Sequence, residues 1–153
     1  MQDSFNNIVD SNSDYGINIY SSSSSSLTNN VISNNSNYGV YIWNGENNLI
    51  YHNNFIDNNA GGVQAKDDGT NNRWNDSSEG NYWDDWTTPD VAPPFGIVDN
   101  PYVLDGSAGS QDYYPLTDEL EIPIPEFSYF VIPMIGILFV IMIFKRKKEE
   151  IVV

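Results

Sequence analysis

The densest group of chemically capable side chains is Asn81-Tyr82-Trp83-Asp84-Asp85-Trp86. Tyr82, Trp83 and Trp86 offer flat apolar faces of the kind that stack on sugar rings. Asp84 and Asp85 can accept hydrogen bonds from sugar hydroxyls. These five residues form the candidate ligand site. The same aromatics, together with Trp74, suit a second role as large side chains that plug the open end of a strand stack. Asp57, Asp67 and Asp68 are the acids whose spacing suggests paired acid–base work. Glycoside hydrolysis needs two carboxyls about 5 Å apart for retention and further apart for inversion. A lyase would also need a cation against the substrate carboxylate, and residues 1–126 hold only Lys66 and Arg73. These acids therefore read as solvated turn residues, and no catalytic residue is assigned.

His52, the single histidine, sits in Tyr51-His52-Asn53-Asn54 and reads as a corner residue. There is no cysteine, and the three methionines are Met1, Met134 and Met142. That inventory excludes a disulfide framework, an iron–sulfur cluster, a thiol nucleophile and a multi-histidine metal site. No metal or cofactor is expected. Asn34-Asn35-Ser36 and Asn75-Asp76-Ser77 are sequons, so Asn34 and Asn75 are glycosylation candidates.

The elements that must position these groups follow from the charge distribution. The 153 residues carry a net charge of −15, from 6 Lys and Arg against 21 Asp and Glu. Residues 1–126 hold 19 acidic and 2 basic residues, and residues 145–153 hold 4 basic and 2 acidic, so −17 and +2 sum to the total. The acidity argues against a nucleic-acid partner, which would need clustered cations. Between the two charged parts, Phe127–Phe144 carries no charge. As a helix, roughly 18 residues span about 27 Å, close to the hydrocarbon thickness of a bilayer. The Lys145-Arg146-Lys147-Lys148 flank predicts a cytoplasmic C-terminus and an external residue 1–126. Met1–Asn12 has neither a basic n-region nor an apolar h-region. The chain is therefore expected to be the C-terminal end of a longer exported protein.

Three segments repeat with a period near 23: Asn7–Ile19, Asn30–Ile42 and Asn54–Ala65. Each has an apolar stub, an Asn/Ser/Asp turn, and a Gly followed by apolar–polar–apolar alternation. Period-two alternation between turn-rich flanks predicts short strands with one face buried. A period in the low twenties fits one rung of a parallel β-solenoid. Ile17, Val40 and Val63 should form one interior column, and Ile19, Ile42 and Ala65 another. Asn12, Asn35 and Asn58 should stack at a corner, amide on amide. The six-serine run Ser21–Ser26 occupies the position of Asn44–Leu49 in the next rung and is read as part of the coil.

The rung Asn47–Asn59 and the exit segments Gly80–Trp86, Gly96–Gly106 and Asp112–Leu116 resemble the right-handed parallel β-helix proteins of the NosD-like, carbohydrate-binding and sugar-hydrolase repeat class. The resemblance spans roughly residues 5–117. It implies a right-handed parallel β-helix of about three rungs with a C-terminal cap. Where relatives carry an Asp/Gly-rich run like a calcium loop, this chain has Asp90-Val91-Ala92-Pro93-Pro94-Phe95, with one carboxylate against the six to eight oxygens calcium takes. Copper delivery would need a His, Met or Cys cluster that the chain lacks. Ile122–Phe127, ahead of the apolar span, resembles an archaeal PEF-type sorting signal. That implies recognition of Pro125-Glu126-Phe127 by a membrane transpeptidase of the archaeosortase class.

The expected organisation is β-helix rungs over 1–75, a cap over 76–117, a Pro-rich acidic stalk over 118–126, a transmembrane helix over 127–144 and a basic tail over 145–153. The expected role is a membrane-anchored surface protein, structural or adhesive, with a polysaccharide or surface glycan as ligand and no enzymatic activity of its own. The alternative is the C-terminal fragment of a carbohydrate-active enzyme (lyase, hydrolase or epimerase) whose catalytic rungs lie upstream.

Overall fold

A computed structural model describes residues 3–123. The expected membrane helix at 127–144, the tail at 145–153 and the Pro125-Glu126-Phe127 motif lie outside them. Among the described residues there are strands and no helix, so the expected all-β class holds there. No helix among them is long and apolar enough to cross a membrane.

The chain visits three parallel sheets in rotation. β1 (Asp3–Phe5), β4 (Ser26–Thr28) and β7 (Leu49–Tyr51) form the first sheet. β2 (Ile8–Asp10), β5 (Val31–Ser33), β8 (Asn54–Ile56) and β10 (Tyr82–Trp83) form the second. β3 (Ile17–Tyr20), β6 (Val40–Glu46) and β9 (Ala65–Thr70) form the third. Partners in the first two passes are one repeat apart: Asp3 with Ser26 and Leu49, Ile8 with Val31 and Asn54, Ile17 with Val40. A partial fourth pass uses Arg73 beside Leu49, β10 beside β8, and Asp105 beside Lys66. The antiparallel pair β11 (Tyr102–Val103) and β12 (Gln111–Asp112) completes the end. The inward side chains Leu27, Ile32, Val40, Ile42, Ile50, Phe55 and Ala65 are buried, and Trp74, Trp83, Tyr102 and Leu104 close the core. Strands of three residues have no stability of their own, so the stack depends on what fixes its corners.

Each corner is built from two consecutive residues. The first adopts a left-handed backbone: Asn6, Asn29 and His52 at one corner, Ser11, Asn34 and Asp57 at the next, Ser24, Asn47 and Asn71 at the third, with φ between 51° and 57°. Asn and Asp tolerate this region better than other non-glycine residues. The second residue is, with one exception, an Asn turned inward. Its backbone N–H and its Nδ2 both donate to the Oδ1 of the residue one pass later. In the ladder Asn7–Asn30–Asn53–Asn81 the amide-to-amide distances are 2.9, 2.9 and 3.0 Å. In Asn12–Asn35–Asn58 they are 2.8 and 2.8 Å. The third ladder starts at Ser25, whose N–H donates to Asn48, and Asn48 donates to Asn72. The amides also donate to strand carbonyls, as Asn53 does to Leu27 and Asn58 to Ile32. Gly39 follows from this packing, because a Cβ there would lie 2.9 Å from Cγ of Asn58. Ser21–Ser26 turns the chain from the third sheet into the first, with Ser26 beside Leu49 as the alignment expected.

The expected columns hold for Ile17 over Val40 and Ile19 over Ile42. They fail in the third pass, where Ala65, not Val63, lies beside Val40, and Asp67, not Ala65, beside Ile42. Ala60–Val63 forms an extra turn closed by Gly62 N–H donating to the Asn59 carbonyl at 2.7 Å. That insertion displaces the strand by two residues, which preserves the inward–outward parity and so hides the shift from an alternation pattern.

Asn35→Ala should cost on the order of 2–4 kcal/mol in chemical denaturation, because it leaves the buried acceptor of Asn58 without its amide donor and removes the acceptor that Asn12 uses. Asn12→Ala, at the exposed end of the same ladder, should cost less than about 1 kcal/mol.

Candidate functional site

The cap cluster is bound up with closing the stack. Trp83 is 1% exposed and lies between Phe55 and Tyr102, with ring centroids 4.1 and 4.0 Å away and planes within 12° and 8° of parallel. Both faces are covered, so Trp83 has none to offer a sugar ring. Its Nε1 donates to Asp112 at 3.0 Å. Asp84 and Asp85 accept from Nε2 of Gln64 at 2.6 and 2.8 Å. Asp84 also accepts from the N–H of Asp57, and Asp85 from the hydroxyl of Tyr102. Burial pushes the Asp84 carboxyl above its ordinary range. Hydrogen bonds from Asp57 and Gln64 oppose that rise. Trp86 packs edge-on against Tyr102 and donates to the carbonyl of Asn100. Of the five candidates, Tyr82, Trp86 and Asp84 are half-buried and Asp85 is exposed.

The other acids are similarly engaged. Asp67 is fully buried and accepts from Asn72, Trp74, Ser110 and the N–H of Gly69. Asp68 accepts from Tyr41, the N–H of Ser107 and Lys66. Burial opposes its ionisation, but these three donors prevail and hold the carboxyl down at about 2. Asp90 accepts from the N–H of Gly96, and Asp99 from those of Val91 and Ala92, so the loop that replaces a calcium-type run closes on itself. His52 stands at its corner with Nε2 2.6 Å from Glu79. The two sequons differ: Asn34 is exposed, whereas Asn75 is buried and its Oδ1 accepts from the N–H of Ser77. The start of the segment expected as a stalk is docked, since Leu120 and Asn54 exchange hydrogen bonds of 2.9 and 2.8 Å.

A second surface was not singled out by sequence reasoning. The outer face of β3–β6–β9 carries Tyr20 beside Trp43 beside Asp68, and Asn18 beside Tyr41 beside Lys66. Tyr20 and Trp43 are 61% and 52% exposed and meet edge to face at 5.1 Å. Tyr15 and Tyr38, stacked at 6.3 Å, both pack against Tyr41. Lys66 Nζ lies 5.1 Å from the Tyr41 ring and 3.1 Å from Asp68. The signal lay in the outward positions of the strands (Tyr20, Tyr41, Trp43, Lys66), which the period-two reading treated only as the solvated face.

Stacked parallel passes with Asn corners define a repeat protein. Residues 3–88 match the family described as periplasmic copper-binding protein (NosD). The match covers more than half of the chain, and the chain belongs to that family. Searches among curated proteins and among solved structures gave no match. Among the described residues no group of three or more His, Cys, Asp or Glu could hold a metal ion.

Asp112 yields a pH prediction. It is fully buried and accepts from Asn81 N–H, Trp83 Nε1 and Tyr114 N–H. Burial raises its carboxyl to about 6 from 3.8, against the pull of these donors. A raised acid favours the folded state while both states are protonated, so its contribution is complete below 3.8 and lost as pH climbs to about 6. Thermal unfolding should show native stability falling across that window by up to roughly 3 kcal/mol. Asp112→Asn should remove this slope while keeping an acceptor for Asn81.

Proposed function

We propose that the three-sheet passes are turns of a right-handed parallel β-helix displayed outside the cell. In this reading the module is structural and adhesive and holds a polysaccharide or surface glycan on the outer face of β3–β6–β9. The carrying observation is the pair Tyr20 and Trp43, two large aromatics left exposed in register on adjacent strands. Beside them lie Tyr41 and Lys66, whose hydroxyl oxygen and ammonium can meet sugar hydroxyls, with Asp68 holding both in place. The role is binding rather than catalysis; Asp67 and Asp68, the acids once weighed for hydrolysis, are engaged with protein donors. The acidic surface keeps such a module solvated.

The charge partition supports a tether: the uncharged run 127–144 as a single span, residues 145–153 in the cytoplasm, and the domain outside. Pro125, Glu126 and Phe127 then serve as a processing signal for an archaeosortase-type transpeptidase. Mass spectrometry of the mature C-terminus checks this: a chain ending near Glu126 is expected, and one ending in Val153 excludes transfer.

On a glycan array, Trp43→Ala and Tyr20→Ala should each weaken binding about fivefold to tenfold, the loss of one aromatic contact of roughly 1 kcal/mol. Trp86→Ala should leave it unchanged. The opposite pattern would return the site to the cap.

A further inference from the structure

The partial fourth pass and the cap leave an open cleft of about 480 Å³ between them. One wall is Asn71–Asn75, the corner and first residues of that pass. The other is Ala108–Gln111 with Tyr113, from the end that carries β12. Both walls are fixed. Arg73 N–H donates to the Asn48 carbonyl, and the Arg73 carbonyl accepts from the N–H of Ile50. The opposite wall is pinned to β9. There Ala108 N–H donates to the Asp67 carbonyl and Ser110 Oγ to the Asp67 carboxylate at 2.7 Å. Asn72 and Trp74 donate to the same carboxylate, which is fully buried behind the cleft. Among the described residues no carboxylate lines the cleft itself.

Arg73 is the one arginine among the described residues, and it is exposed. Residues 1–126 carry 19 acids. Even so, no described carboxylate pairs with its guanidinium; the ion pairs there belong to His52 and Lys66. A guanidinium is a planar fork of donors that suits an oxyanion. The groups around it suit more than a bare ion. Among the described residues nothing hydrogen-bonds the side-chain amides of Asn71 and Gln111 or the hydroxyl of Tyr113, and Tyr113 is 58% exposed. The cleft volume also falls within the roughly 300–1,000 Å³ of small-molecule sites.

We propose that this cleft binds a sugar carrying an anionic group, a carboxylate or a sulfate ester. Arg73 takes the anion, the Tyr113 ring stacks on the sugar, and the amides of Asn71 and Gln111 meet its hydroxyls. The acidity of the domain opposes any anion at long range. At about 0.1 M salt that repulsion is screened beyond about 10 Å, and the contact with Arg73 is kept. The cleft shares no residue with the Tyr20–Trp43 face, so it stands or falls separately from the glycan reading of that face.

The test titrates the full chain, in detergent micelles at about 0.1 M salt, with glucuronate, galacturonate and mannuronate, each against its neutral parent sugar, and with glucose sulfate. Dissociation constants are read by NMR from the Arg73 side-chain N–H and the Tyr113 ring. At least one charged sugar should bind about fivefold tighter than its parent, and the tighter of the carboxylate and sulfate arms names the group. Arg73→Gln should melt with the parent, abolish the preference and leave the neutral sugar's affinity as it was. Tyr113→Ala should weaken charged and neutral sugars by the same factor. Trp43→Ala should change neither. No binding, equal affinity for charged and neutral sugars, or a preference that survives Arg73→Gln overturns the proposal. So does a preference that Trp43→Ala removes, or inorganic sulfate that binds as tightly as every charged sugar.

Discussion

The inward asparagine amide that donates in one direction and accepts from the other is the interaction on which the structure depends. A buried primary amide left unpaired would cost several kcal/mol. Here almost every such group is paired with its own kind one pass away. The arrangement removes freedom as well as cost. Because each Nδ2 gives one hydrogen to the amide on its cap side and another to a carbonyl of the preceding pass, the last amide of each ladder must meet an acceptor with no amide of its own to satisfy. Carboxylates supply this: Asp112 below Asn81, Asp67 below Asn72, and Asp84 with Asp85 below Gln64. The acids at this end thus follow from the way the ladders run out.

That constraint decides which residues remain for ligands. Asp67, Asp84, Asp85 and Asp112 look like catalytic or sugar-binding acids when read by residue type. Each is engaged by a ladder, and Trp74 and Trp83 direct their Nε1 donors to the same carboxylates. The Phe55–Trp83–Tyr102 stack then covers the apolar core at the point where the amides stop. What the ladders leave uncommitted is the outward side of the sheets, and there Tyr20 and Trp43 remain exposed.

Much of the fold was legible because the repeat states it several times. The alternation in Ile17–Ile19 and Val40–Ile42, the shared Gly16 and Gly39, and the column Asn12–Asn35–Asn58 all recur at one offset. Two other ladders were less visible. Asn7–Asn30–Asn53 lies within runs of Asn where several registers fit equally well, and the third starts with a serine and ends in Asp67. The register of β9 could not be read, because a two-residue insertion keeps the parity of a strand. The cap was recognisable as a cap from its aromatics, but the partner that covers Trp83, Tyr102, lies 19 residues along the chain. Sequence spacing carries no signal for that stacking.

The third pass shows how the ladder absorbs a defect. The insertion at Ala60–Val63 leaves no asparagine to lie beneath Asn58. Gln64 takes that place from within the same pass, with Oε1 accepting from Asn58 at 3.0 Å while its Nε2 reaches Asp84 and Asp85. The extra methylene of Gln lets an amide six residues away do what an Asn one pass away does elsewhere. An insertion at a corner is therefore tolerated only where a longer amide can bridge it and a carboxylate waits beyond. Both conditions are met beside the cap, where the ladder ends. In the middle of the stack, a displaced amide would break the donor chain on both sides.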